Sequence, residues 1–119
     1  DSRRACAISR RARAASISGT GGTLVEVLKD VSFRLAPMWE ISAERMVRQI
    51  RSFRVLDGFR GNPPSDVPAI VDTLLRLSAM VYNHPEIAEL DVNPLIVHAK
   101  GQGCAVADSR VMLRRVETA

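Results

Sequence analysis

The chain has 119 residues, 46% of them hydrophobic and 25% charged, a composition that fits one small globular domain or a piece of a larger protein. Its net charge of +4 sits in residues 1–20, which hold Arg3, Arg4, Arg10, Arg11 and Arg13 against Asp1, while 12 basic and 12 acidic side chains cancel over residues 21–119. The basic pI therefore belongs to this arm and not to the domain, and a nucleic-acid reading of the whole chain loses most of its support. The aromatic residues Phe33, Trp39, Phe53, Phe59 and Tyr82 are too few for a base-stacking platform. No apolar run is long enough to span a bilayer, and the start has no apolar signal core. Cys6 and Cys104 lie far apart without metal-ligand spacing and read as free thiols of a reducing, cytoplasmic protein.

Taken in order, residues 1–20 are Arg, Ala and Ser with little apolar periodicity, and they read as a basic arm, disordered or non-native. Such a tail could also bind phosphate backbones or a membrane surface. Gly19-Thr20-Gly21-Gly22 reads as a loop whose backbone could approach a phosphate. Two strands are predicted over residues 23–28 and 31–36, broken by Lys29-Asp30 and ended by Pro37. They read as a hairpin presenting Glu26 and Arg34 as cross-strand surface charge. A helix over residues 40–52 aligns Ala43, Met46, Val47 and Ile50 in one apolar stripe, with Arg45, Arg48 and Arg51 away from it. Residues 55–64 read as a loop, in which Arg60 between Gly58 and Gly61 is a candidate anion contact or an ordinary turn arginine.

A longer helix is predicted over residues 66–83. Ser65 or Asp66 is its N-cap candidate, and Pro68 suits its first turn. Val67, Ile70, Val71, Leu74, Leu77 and Val81 follow the helical period, with Leu75 and Met80 widening the stripe that should pack on a sheet. His84-Pro85 stops it. Neither His84 nor His98 has a metal-spaced or nucleophilic partner, so no catalytic side chain is assigned.

Residues 86–108 organise the rest and read as one β-hairpin. On the first arm, alternation places Leu90, Val92 and Ile96 on a core face and Glu89, Asp91 and Asn93 on the other. The turn is Lys100-Gly101-Gln102-Gly103. Centred on Lys100-Gly101, it sets Ala99 opposite Gln102 and Asn93 opposite Asp108; centred on Gln102, it breaks that register. The first case brings two hard oxygen ligands together across a strand pair, which is chemistry for Mg²⁺ completed by substrate phosphates. The plain alternative is a half-exposed hairpin with solvated carboxylates. Residues 109–113 continue as a strand. The sum is an α+β fold, a mixed α/β sandwich whose mainly antiparallel sheet is packed by two helices.

Three segments in matching order carry a family resemblance: Gly21-Gly22-Thr23-Leu24-Val25-Glu26-Val27-Leu28-Lys29-Asp30-Val31-Ser32-Phe33-Arg34-Leu35-Ala36-Pro37, then Leu56-Asp57-Gly58-Phe59-Arg60-Gly61, then Glu86-Ile87-Ala88-Glu89-Leu90-Asp91-Val92-Asn93-Pro94-Leu95. They resemble the C-terminal part of the ATP-grasp domain of ADP-forming acyl-CoA (acetate–CoA) synthetases, with the succinyl-CoA synthetase β subunit a more distant relative. The resemblance covers residues 21–113 and implies a C-terminal ATP-grasp subdomain over residues 21–119. It implies ATP or ADP and Mg²⁺ as ligands, and CoA and a carboxylic acid as partners reached through other domains or a partner subunit. By resemblance, Asn93 and Asp108 match the Mg²⁺-binding amide and carboxylate, and Asp91 a neighbouring acidic position, Glu in the succinyl enzymes. Glu26, Arg34 and Arg60 lie in matching segments as candidate nucleotide contacts.

The chain departs from the family in three ways. The Arg/Ala arm stands where an apolar strand leads into Gly21-Gly22, and Trp39 stands where a helix N-cap Ser or Thr is usual. The N-terminal ATP-grasp subdomain, the CoA-binding domain and the phosphohistidine are not in these residues. The implied function is therefore the nucleotide- and Mg²⁺-binding part of an ADP-forming acyl-CoA ligase, not catalytic as an isolated fragment. The alternatives are a regulatory ATP-grasp module of a bacterial protein acyltransferase, and a small nucleic-acid-binding protein using the arm.

Overall fold

The computed structural model describes residues 4–8, 11–18, 24–37, 47–48, 50, 53–56, 58 and 64–115. They form strands β1 (Arg4–Ile8), β2 (Arg13–Ser18), β3 (Leu24–Lys29) and β4 (Val31–Pro37), helices α1 (Phe53–Leu56) and α2 (Val67–Asn83), then β5 (Ile87–Val92), β6 (Leu95–Val97), β7 (Cys104–Val106) and β8 (Ser109–Leu113). Two four-stranded sheets result, with orders β1-β4-β5-β8 and β2-β3-β6-β7, and their strand pairs are antiparallel. This is the mixed, mainly antiparallel α+β architecture expected from the sequence.

The two sheets share their chain segments. Each strand of the first sheet continues, after a short break, into the corresponding strand of the second. The molecule is thus four arms lying side by side, each giving one strand to each sheet. Register runs unbroken from one sheet to the other at two of the three contacts between arms, and shifts by one residue between the β1–β2 and β3–β4 arms. Val31 lies opposite Val92 and Leu28 opposite Leu95, so the same count sets Asp30 opposite Asn93. Val92 lies opposite Ser109 and Leu95 opposite Val106, and between them the Asn93 N–H donates to the Asp108 carbonyl at 3.1 Å. Helix α2 packs on β1, β4 and β5. Its buried Ile70, Leu74 and Val81 share one core with Val31, Phe33, Leu90 and Val92 of the first sheet and Leu28, Leu95 and Val97 of the second.

Helix α2 begins where turn chemistry placed it. Asp66 is the N-cap, its Oδ1 accepting from the Ala69 N–H at 3.2 Å, with proline in the first turn. Val47 and Ile50 are buried and Arg48 exposed, as the stripe over residues 40–52 requires; Ala43, Met46, Arg45 and Arg51 lie outside the described residues.

Several expectations are corrected. The stretch read as a disordered arm contains β1 and β2, which pair with β4 and β3. Ala12 and Ala14 are buried while Arg11 and Arg13 are exposed. Burial alternates over residues 11–14 with alanine on the covered side, and the small apolar surface of alanine gives almost no hydrophobic signal. Residues 23–28 and 31–36 are strands but not a hairpin: a single residue, Asp30, links β3 to β4, too few for a reversing turn. Val55 and Leu56 belong to α1 and not to a loop. Leu75 and Met80 do not widen the buried stripe; they are 52% and 37% exposed. Finally, beyond Ile87 the buried phase on the first arm of the 86–108 hairpin shifts from even to odd residues. Leu90 and Val92 are buried in β5, then Leu95 and Val97 in β6, with Ile96 only partly covered. The arm changes sheets at Asn93-Pro94, whose peptide bond is cis.

Candidate functional site

The bends of the arms lie next to one another and form a seam between the sheets. Asp30, Asn93 and Asp108 occupy neighbouring positions along it. The expected register, Asn93 opposite Asp108, is the one observed. Both side chains are exposed. Asp108 Oδ1 accepts the Ser109 N–H at 2.9 Å, and the Asn93 Nδ2 amide donates to Asp30 Oδ1 at 3.3 Å. Asp30 Oδ2 lies 3.6 Å from the Arg13 guanidinium. A row of carboxylate and carboxamide oxygens suits a hard cation and not zinc or copper. Among the described residues no three His, Cys, Asp or Glu side chains converge, so Asn93 and Asp108 could hold Mg²⁺ only with oxygens added by phosphate and water.

The turn of the hairpin is fixed from outside. Asp66 Oδ2 accepts the Gly101 and Gly103 N–H groups at 3.1 and 2.8 Å, and the Asp66 N–H donates to the His98 carbonyl at 2.9 Å. Gly101 and Gly103 both have positive φ, which lets their N–H groups converge on one oxygen. The Gly103 N–H above all, then those of Ala69 and Gly101 and the charge of Lys100, outweigh desolvation and hold the Asp66 carboxyl below the usual aspartate range.

Asp91 has a different partner from Asn93. It lies with Glu89 on the face of β5 opposite the core, where the Ser32 hydroxyl of β4 reaches Glu89 Oε1 at 2.5 Å and Asp91 Oδ1 at 2.6 Å. One hydroxyl proton serves only one of these oxygens at a time. Arg34 leaves β4 on the same face as Ser32 and is exposed. Glu26 is not surface charge. It is 8% exposed on the side of β3 that carries Leu28, and the Ser16 hydroxyl lies 2.8 and 2.7 Å from its two oxygens, donating to one of them at a time. Its partner is Ser16, directly opposite across the β2–β3 pair. Arg60, Trp39 and Gly19-Thr20-Gly21-Gly22 lie outside the described residues. His84 caps α2 and touches Glu86 at 3.3 Å. Sequence reasoning missed Asp30 and Arg13. The available signal for Asp30 was an aspartate alone between two strands, in a place that suits positive φ.

Comparison with known proteins places this geometry. Residues 16–113 match the ATP-grasp domain family. The chain is 50% identical over 95 residues to an ADP-forming acetate–CoA ligase I of Archaeoglobus fulgidus, covering 80% of this chain and 14% of that protein. It is 44% identical over 97 residues to the β subunit of an ADP-forming acetate–CoA ligase II of Pyrococcus furiosus, covering 81% of this chain and 41% of that one. A solved structure of the dinucleotide forming acetyl-coenzyme A synthetase 1 of Ca. Korarchaeum cryptofilum, in complex with coenzyme A and Mg-AMPPCP, superposes with a TM-score of 0.60 at 32% identity, over 92% of this chain and 53% of that chain. This chain thus spans less than half the length of the two ligases. The match begins at residue 16, within β2, so the strand leading into Gly21-Gly22 is present and is made of residues that composition assigned to the arm. The chain belongs to the ATP-grasp domain family, as a part of the domain found in ADP-forming acetate–CoA ligases.

Proposed function

We propose that this chain forms the metal- and phosphate-contacting part of the nucleotide site of an ADP-forming acyl-CoA ligase, which converts a carboxylic acid, ATP and CoA into acyl-CoA, ADP and phosphate. The observation that supports this reading is the seam, where unbroken register brings the exposed Asn93 carboxamide next to the exposed Asp108 carboxylate. Asn93 Oδ1 and the Asp108 carboxylate would hold Mg²⁺. When bound, Mg²⁺ supplies charge compensation to the phosphate oxygens. The role of the chain's own residues is to orient these donors. The paired strands hold their backbones, and Ser109 fixes one Asp108 oxygen.

Asp91, held with Glu89 by Ser32 on the open face, assists from beside the metal pair and does not complete it. Arg34 on that face, and Arg60, are the cations offered to phosphate. Glu26 acts from the buried side of β3 and not by direct contact with the metal. The CoA and acid sites belong to the larger enzyme or its partner subunit, so the chain alone binds nucleotide without turning it over.

Calorimetric titration with ADP, with and without Mg²⁺, tests this on a chain shown to be folded by circular dichroism. Binding should require Mg²⁺, and Asp108→Asn should weaken it by about 10–100-fold with little change in melting temperature. Equal Mg²⁺-dependent affinity in the variant would remove Asp108 from the site.

A further inference from the structure

Asp30 lies in the left-handed region, with φ of 57°. Glycine is the usual residue there, and aspartate is among the few others that enter it. A glycine would satisfy the backbone of this bend, so the carboxylate needs a separate reason. Its two oxygens have two partners on neighbouring arms. Oδ2 faces Arg13 at 3.6 Å, and Oδ1 accepts from Asn93 Nδ2 at 3.3 Å. The Arg13 pair is exposed, 56% and 41% for the two side chains, and such pairs add little to stability.

The contact with Asn93 is chemically more specific. A carboxylate only accepts, so the group of Asn93 that faces Asp30 is the NH₂. The amide is planar, with its oxygen on the side away from its nitrogen. Asn93 lies between Asp30 on one flanking arm and Asp108 on the other. Turning the NH₂ toward Asp30 therefore turns Oδ1 toward the arm of Asp108.

We propose that Asp30 is a positioning residue that orients the Asn93 carboxamide, presenting Oδ1 beside Asp108 as a ligand for a divalent cation, with Arg13 holding the Asp30 carboxylate in place. The inference rests on the metal–nucleotide reading of the Asn93–Asp108 pair and adds to it the group that selects which amide atom meets the metal. Asp30 acts through Asn93 because its Oδ1 accepts from the Asn93 side-chain amide.

The test uses the full chain and two variants. Asp30→Gly keeps the backbone freedom of the bend and removes the acceptor. Asp30→Asn keeps an oxygen that accepts from the Asn93 NH₂ and tolerates positive φ. The first readout needs no metal: the side-chain NH₂ resonances of Asn93, assigned by their loss in Asn93→Asp. The second is Mn²⁺ uptake in the presence of ADP, followed by electron paramagnetic resonance.

Asp30→Gly should shift the Asn93 NH₂ signals and weaken Mn²⁺ uptake by about 10–100-fold, the usual effect of removing a partner that orients a ligand. Asp30→Asn should recover most of both. Unchanged NH₂ signals or unchanged uptake in Asp30→Gly would overturn the inference while leaving the metal reading standing. Equal loss in both variants would assign the effect to charge and overturn it as well. Absence of Mn²⁺ uptake by the unsubstituted chain would instead refute the metal–nucleotide reading, and the inference with it.

Discussion

Asp66 joins two parts of the molecule through one carboxylate. Oδ1 caps α2, and Oδ2 gathers the N–H groups of Gly101 and Gly103 at the far end of the hairpin that bears Asn93 and Asp108. Its pKa is lowered in the folded chain, chiefly by the Gly103 N–H. The linkage follows directly: the unfolded chain binds the proton more tightly, so the ionised carboxylate stabilises the fold above the ordinary aspartate pKa. That contribution fades as pH falls through the lower folded value. Asp66→Asn should therefore melt at a lower temperature at neutral pH, with the gap to the parent chain narrowing in acid, as thermal melts across that range would record. A gap independent of pH would mean that ionisation contributes nothing. The cap was legible because Asp followed by Val-Pro before an apolar period is a local signal. The grip on Gly101 and Gly103, more than 30 residues away, was not, because hydrogen bonds across that separation leave no mark on local composition.

Helix α2 separates periodicity from packing. Leu74 and Leu75 are adjacent and equally apolar, yet Leu74 is fully buried and Leu75 is 52% exposed. One residue turns a helix by roughly 100°, enough to carry a side chain from the sheet to solvent. Leu74→Ala should cost about 2–5 kcal/mol, whereas Leu75→Ala should stay within about 0.5 kcal/mol, both read from urea unfolding midpoints. Comparable losses would mean that α2 packs on a wider face than described. The strands divide in the same way. Alternation marked β5, but the shift of phase at Asn93-Pro94 depends on the arm leaving one sheet for another. A sequence pattern of period 2 contains no information about which sheet a strand joins.

At the scale of the whole molecule, the consequence concerns residues 1–18. They hold β1 and β2, which line the edges of β4 and β3, and they bury Ala12 and Ala14 in or beside the core. Removing them should lower the melting temperature by about 8 °C or more, the shift expected for a loss of about 2 kcal/mol in a small domain. A disordered arm would leave it unchanged. The balanced charge of residues 21–119 and the strand structure within the first 18 also leave little for a free basic tail to do. Steeply salt-dependent binding to DNA is thus not expected of this chain.

The elements with strong local signals needed nothing beyond the chain itself: the α2 period with its cap, and the alternation of β5; the turn left two registers open, and the structure selected the one that sets Asn93 opposite Asp108. The motif segments around Glu26 and Asn93 were enough for the family as well. The bends that divide four arms between two sheets, the burial of Glu26 against Ser16, and the row that adds Asp30 and Arg13 to Asn93 were decided only by tertiary structure. Each of these depends on which arms lie side by side, and pairing energy between distant segments is a property of the assembled sheet and not of any local stretch of sequence.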